Sequence, residues 1–84
     1  MNEEYIKEFV KDRDEAFIDA VLNDNWEGIK KHCKKYGITI PKEKTIMKAG
    51  IYKAVQECIN ISDEIKGKAA AKCLELGFNP FVKR

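Results

Sequence analysis

The sequence has few of the residues that usually carry catalysis or covalent stability. Its 84 residues include one histidine, two prolines and three cysteines, Cys33, Cys58 and Cys73. The cysteine positions form no CxxC pair, and an odd number of cysteines does not make a disulfide framework. A chain of this length buries only about 60 to 65% of its unfolded surface. The core must therefore be well packed or completed by a partner.

Other absences exclude whole classes of protein. No apolar stretch approaches the roughly 20 residues that a membrane-spanning helix needs. Residues 1–5 lack the basic start of a secretory signal peptide, and unpaired thiols are typical of a reducing compartment. We therefore expect a cytoplasmic protein. With 44% hydrophobic and 36% charged residues, the composition is that of a single domain over 1–84, and it excludes collagen-like and low-complexity chains.

The sequence also has no recognisable catalytic, metal or cofactor motif. It contains no GxxxxGK[ST], GxGxxG, GxSxG or HxxxH segment, the short patterns that position phosphates, nucleophiles or zinc. His32 precedes Cys33, but adjacent side chains on a helix point about 100° apart, too far for a base to activate a nucleophile. We expect no cofactor and no metal, and enzyme activity ranks third among the functional hypotheses.

What the sequence does contain is apolar residues with a helical period. The period and the flanking cap residues predict four helices, at about 3–22, 25–36, 42–60 and 63–76. The segment Asn23-Asp24-Asn25 and Ser62 supply good N-cap residues, and Gly37 and Gly77 are good helix terminators. The sequence therefore predicts an all-α protein, a compact bundle of four helices.

The third helix is expected to lie at the centre of this bundle. Apolar residues cover more than half of its circumference, which is typical of a helix that is contacted on several sides. Pro41 is expected in its first turn. Gly50 costs about 1 kcal/mol relative to alanine, so a close helix crossing at Gly50 and Ala54 is expected in return. The apolar C-terminal tail, with Phe78 and Phe81, is expected to fold back onto the core.

Arg13 is the most unusual residue of the first helix, because it lies at the centre of the apolar stripe. An unpaired buried guanidinium costs several kcal/mol, so two interpretations remain open. Arg13 extends to solvent or pairs with an acid of its own chain, or it contacts another chain or a ligand. Ile18 and Leu22 lie outside the stripe. A twofold homodimer would bury Arg13, Ile18 and Leu22 reciprocally.

Charge is divided unevenly along the chain. Residues 1–27 carry nine acids and three bases, and residues 28–84 carry thirteen bases and five acids, so the net charge of +2 resolves into −6 and +8. Either the acidic helix packs beside the basic segment and the charges partly cancel, or a basic surface is exposed to bind an anion or nucleic acid. The candidate contacts for such a ligand are Lys30, Lys31, Lys34, Lys35, Lys44 and Lys48.

Any nucleic-acid binding by these residues is expected to be nonspecific. The basic residues are fourteen lysines and two arginines. Lysine holds phosphate as a point charge, whereas base edges are usually recognised by arginine.

The segments Tyr36-Gly37-Ile38, Pro41 and 49–54 follow an acidic segment that contains residues 13–16. Over roughly 5–59, this pattern resembles a group of small uncharacterised bacterial proteins from genomes rich in prophage and other mobile elements. The resemblance implies no activity and no cofactor. The mobile-element setting favours a small regulator or a binder of a host protein.

These observations support three hypotheses in order. The first is a non-enzymatic protein that acts by protein–protein interaction or by forming a homo-oligomer. The second is a nonspecific nucleic-acid binder with a lysine-rich surface on helices 2 and 3. The third is an enzyme.

Overall fold

A computed structural model describes residues 3–80, which contain four α-helices and no strand. These are α1 (Glu3–Asn23), α2 (Trp26–Tyr36), α3 (Lys44–Val55) and α4 (Asp63–Glu75). The predicted all-α class is confirmed. α1 packs against α2 in one unit, Met1–Ile38, and α3 packs against α4 in a second unit, Thr39–Arg84. The single domain and the central position of the third helix stay predictions.

A short turn reverses the chain between α1 and α2. Asp24 has a φ of 53°, a left-handed conformation that aspartate and asparagine tolerate better than most residues. Asn25 then caps α2, since its side-chain Oδ1 accepts a hydrogen bond from the Gly28 N–H at 3.0 Å. A short side-chain oxygen at this position satisfies a backbone donor that the first turn leaves free. The cap predicted at this position is confirmed.

Both predicted C-terminal glycines follow the ends of their helices. Gly37 has a φ of 67° and Gly77 a φ of 91°, values that cost glycine little. Beyond Gly37, the Ile38 N–H donates to the Cys33 carbonyl at 2.8 Å. Beyond Gly77, the Phe78 N–H donates to the Cys73 carbonyl at 3.2 Å. This reversed hydrogen bond is the Schellman closure, which satisfies a carbonyl of the last turn.

α3 begins later than predicted. The Glu43 carboxylate accepts hydrogen bonds from the N–H groups of Thr45 and Ile46 at 3.1 and 2.8 Å. Glu43 is therefore the N-cap and the helix starts at Lys44. Pro41 lies before the cap, so its expected place in the first helical turn is wrong.

α3 also ends earlier than residue 60. After Val55 the N–H groups of Gln56, Glu57 and Cys58 donate to carbonyls three residues back, at 3.1 to 3.2 Å. Such bonds tighten the chain into turns. Cys58 is buried within this turn segment, whereas Ile59 is 89% exposed. The buried cysteine prolongs the apolar pattern beyond the helix, and the predicted end is therefore wrong.

The expected close crossing at Gly50 and Ala54 is also wrong. Gly50 is exposed, and a Cβ added there would meet no atom within 4 Å. In the tail, Phe78 is half-buried and its ring centroid lies 5.9 Å from the Lys53 Nζ of α3. This contact follows the prediction that the tail folds back. Phe81, the second residue of that prediction, lies outside the described residues.

The open face at Gly50 makes a stability prediction. We expect Gly50→Ala to raise the free energy of unfolding by about 1 kcal/mol, because alanine favours the helix and restricts the unfolded chain. Urea denaturation followed by circular dichroism measures this change. Gly28→Ala is the matched control, since its Cβ would lie 2.9 Å from the Asn25 Nδ2 and should lower stability by disturbing the cap. Loss of stability in Gly50→Ala would contradict an open face.

Candidate functional site

The contact between α1 and α2 is built around the ring of Tyr36. The Phe9 ring meets it edge to face with centroids 4.8 Å apart, and the Tyr5 ring does so at 6.1 Å. His32, one turn earlier on α2, lies 5.0 Å from Tyr36 and 5.6 Å from Phe9. Aromatic pairs at these separations contribute roughly 0.5–1.5 kcal/mol beyond their burial. We call these four residues the aromatic cluster.

Asp12 connects this cluster to the charged surface. Its Oδ2 accepts hydrogen bonds from the Tyr36 hydroxyl at 2.7 Å and from the Lys35 Nζ at 2.9 Å. The Lys35 Nζ also lies 3.6 Å from Glu8 Oε1. One carboxylate of α1 therefore holds two adjacent side chains in the last turn of α2.

The hydrogen bonds to Asp12 change the protonation of all three groups. The bond from Tyr36, followed by that from Lys35, holds the pKa of Asp12 below its usual value. The same carboxylate raises the pKa of Lys35 and of Tyr36. At neutral pH the network is thus an ionised carboxylate between an ammonium and a neutral phenol.

A second carboxylate, that of Asp19, forms hydrogen bonds at the other end of the α1–α2 contact. Asp19 accepts hydrogen bonds from the side-chain amides of Asn23 at 2.6 Å and Asn25 at 2.5 Å. These bonds, that from Asn25 first, lower the pKa of Asp19. Because Asn25 also caps α2, Asp19 orients the capping side chain.

Between these two attachments lies an open groove of about 310 Å³. Three carboxylates of α1, two lysines of α2 and two small residues line it together with His32. Its lining is Asp12, Glu15, Ala16, Asp19, Gly28, Lys31, His32 and Lys35. The groove therefore carries both signs of charge.

Arg13, the unusual residue of the sequence, pairs within its own chain. Its Nε and Nη2 donate to the Asp14 Oδ1 at 3.2 and 3.0 Å. The arginine side chain is 28% exposed and that of Asp14 only 11%. Of the two interpretations left open, the internal pair with an acid is therefore present. Sequence reasoning missed Asp14, because acids at the edge of an apolar stripe usually reach solvent.

Ile18 and Leu22, the other candidate interaction residues, lie one turn apart on α1. Ile18 is half-buried and Leu22 is 46% exposed. Arg13 is held by Asp14 and lies about 140° around the helix from Ile18. The structure therefore brings Ile18 and Leu22 together on one face and leaves Arg13 outside it.

The candidate lysines of α2 differ in their contacts. Lys35 pairs with Asp12 and Glu8, and Lys30 lies 3.5 Å from Glu27. Within residues 3–80, Lys31 and Lys34 have no carboxylate partner at ion-pair distance. The acidic helix thus neutralises part of the basic segment.

Lys44 and Lys48 belong to α3 in the second unit. Lys44 is exposed and Lys48 is half-buried. The six candidate lysines therefore form two groups, one on each unit.

The cysteines are placed as small hydrophobic residues. Cys33, Cys58 and Cys73 are free and buried, and burial raises the pKa of the Cys33 and Cys73 thiols. A raised thiol pKa disfavours the thiolate that a nucleophile or metal ligand needs. Within residues 3–80, no group of three or more histidine, cysteine or acidic side chains is placed to hold a metal ion.

Comparisons with protein-family models, curated proteins and solved structures found no match. Across the described part of the chain, no helix has both the length and the apolar character needed to cross a membrane. Function is therefore inferred from the geometry of the chain itself, and the resemblance seen in the sequence stays a prediction.

The Arg13–Asp14 pair predicts a large non-additivity. We expect Arg13→Met to destabilise the fold by about 1–3 kcal/mol, because it leaves the Asp14 carboxylate without its partner. The double variant with Asp14→Leu should recover much of this loss, since both charges are then removed. Chemical denaturation of the four proteins in a double-mutant cycle measures the coupling. Additive losses, in which the double variant loses the sum of the two single losses, would show that the pair contributes nothing.

The Asp12 network predicts a change in tyrosine ionisation. We expect Asp12→Asn to lower the pKa of Tyr36 toward its usual value of 10.0, because the carboxylate that opposes phenol ionisation is gone. Spectrophotometric titration of tyrosinate, with Tyr5 and Tyr52 replaced by phenylalanine in both proteins, isolates this signal. Glu15→Gln on the same helix is the control and should leave the midpoint unchanged. An unchanged midpoint in Asp12→Asn would contradict the hydrogen bond.

Proposed function

We propose that this protein is a non-enzymatic cytoplasmic interaction module that binds another protein, in the first instance a second copy of itself. The observation that carries this proposal is the mixed charge of the α1–α2 surface beside an exposed apolar face. Two lysines of α2 and three carboxylates of α1 line the same groove. Leu22 on α1 is 46% exposed.

A mixed surface fits a protein partner better than a phosphate backbone. Two of the four α2 lysines already pair with carboxylates, which leaves Lys31 and Lys34 for a ligand. These two lysines of α2 would neutralise about two phosphates, whereas a protein with a steep salt dependence of DNA binding makes roughly six to ten such contacts. The groove carboxylates Asp12, Glu15 and Asp19 would also repel the backbone.

A second copy of the chain can provide both apolar and charged contacts to the α1 face. Ile18 and Leu22 lie on the same face of α1 as the exposed Lys11 and Glu15. A twofold axis between two copies brings these faces together and allows Lys11 of one copy to approach Glu15 of the other. Apolar contacts flanked by paired charges are the usual composition of a protein interface.

Self-association through Leu22 can be measured directly. We expect the mass from sedimentation equilibrium to rise with concentration from 9.7 kDa toward twice that value. Leu22→Lys should remain monomeric, because a charge then replaces the apolar contact. Leu74→Lys is the matched control, since Leu74 on α4 is also exposed, at 59%, and it should associate as the native chain does.

Two other outcomes would overturn the proposal. A monomer at every concentration would exclude the second copy, and a dimer insensitive to Leu22→Lys would place the interface elsewhere. The same samples are titrated against a labelled DNA duplex at low salt, where we expect no binding. Salt-dependent binding that is lost in the Lys31→Gln, Lys34→Gln double variant would favour the nucleic-acid hypothesis.

A further inference from the structure

His32 occupies a position at the α1–α2 contact that the proposed function does not use. Its residue is 8% exposed, and its ring packs 5.6 Å from Phe9 and 5.0 Å from Tyr36. One edge of the residue borders the groove. It is therefore a titratable ring enclosed between two helices, with limited access to water.

Charges of both signs surround this ring. Lys31 and Lys35 of α2 border the same groove. The charge of Arg13 on α1 lowers the pKa of His32. Asp12 of α1 is the carboxylate whose charge raises the pKa of the ring. Its Oδ2 accepts hydrogen bonds from Tyr36 and Lys35, and its charge has the largest effect of any charged group on the ring.

The remaining charged groups of the groove are two carboxylates. Glu15 and Asp19 of α1 border the groove as well. Asp19 is engaged by Asn23 and Asn25, and Glu15 is solvent-exposed, where water screens its charge. Within residues 3–80, no carboxylate lies at ion-pair distance from the ring nitrogens, so a proton on the ring would add a positive charge without a direct partner.

We propose that protonation of His32 loosens the contact between α1 and α2, so that mild acid opens this half of the chain. The neutral ring packs between Phe9 and Tyr36 as an apolar group. The imidazolium must be hydrated or paired, and this position offers contact with water only along the groove edge. Attraction between the imidazolium and the two aromatic faces works in the opposite direction, but it does not replace the lost hydration.

The direction of the pH effect follows from the pKa of His32. Burial, the largest cause, lowers the pKa of His32 from its usual 6.5, while Asp12 raises it by a smaller amount. The unfolded chain therefore binds this proton at a higher pH than the folded chain does. Stability is full above pH 6.5 and is lost as the pH falls through the folded value.

The chain has one histidine, so its imidazole proton gives a single unambiguous NMR signal. We expect the titration midpoint of this signal to lie below 6.5 in the full chain. The protection factors of α1 and α2 amides that exchange by separation of the two helices should fall over the same pH range. The expected fall is about tenfold for each pH unit that separates the midpoint from 6.5.

His32→Phe is the control, because phenylalanine keeps the ring between Phe9 and Tyr36 but does not titrate. Its amide protection should show no step between pH 7 and 5. A midpoint at or above 6.5 in the native chain would overturn the proposal, and this measurement needs no variant to fold. Acid opening that persists unchanged in His32→Phe would also overturn it and assign the effect to other groups.

Discussion

The carboxylate of Asp12 is the interaction on which the α1–α2 unit depends. A single oxygen accepts from Tyr36 at 2.7 Å and from Lys35 at 2.9 Å, and hydrogen bonds to an ionised acceptor are roughly twice as strong as neutral ones. Because the Tyr36 hydroxyl is held, its ring is fixed against Phe9 and Tyr5. One acid thereby orients the apolar contacts of the unit as well as the charged ones.

This arrangement determines which charges the α1–α2 surface exposes. The sequence divides into an acidic segment and a basic one, and the first unit joins the two through Lys35, which pairs with Asp12 and Glu8. Neutralisation inside the unit weakens the long-range field that attracts phosphate. It leaves a short-range pattern of opposite charges beside Leu22. A protein with complementary charges fits such a pattern better than a uniformly anionic polymer does.

Much of the fold could be predicted from the sequence because capping is local. Cap and terminator residues interact with backbone groups only a few positions away, so they can be recognised in the sequence. Those of this chain are Asn25, Gly37, Ser62 and Gly77. The limits of α3 could not be predicted, since Cys58 is buried from a turn and prolongs the helical pattern. The candidate site was harder to predict from the sequence than the fold was. Arg13 stood out, but the 24-residue separation of Asp12 from Tyr36 leaves no signal in the local pattern.

The titratable groups at the α1–α2 contact act together to define a pH range. Asp12 and His32 have pKa values below their usual 3.8 and 6.5, so each weakens the contact as pH falls, His32 first and Asp12 in stronger acid. Tyr36 has a pKa above its usual 10.0, so the contribution of its hydroxyl is lost as pH rises past that value. The contact is therefore strongest between about pH 6.5 and 10. Within that range the aspartate is charged and the phenol and imidazole are neutral, the combination that the packing of α1 against α2 requires.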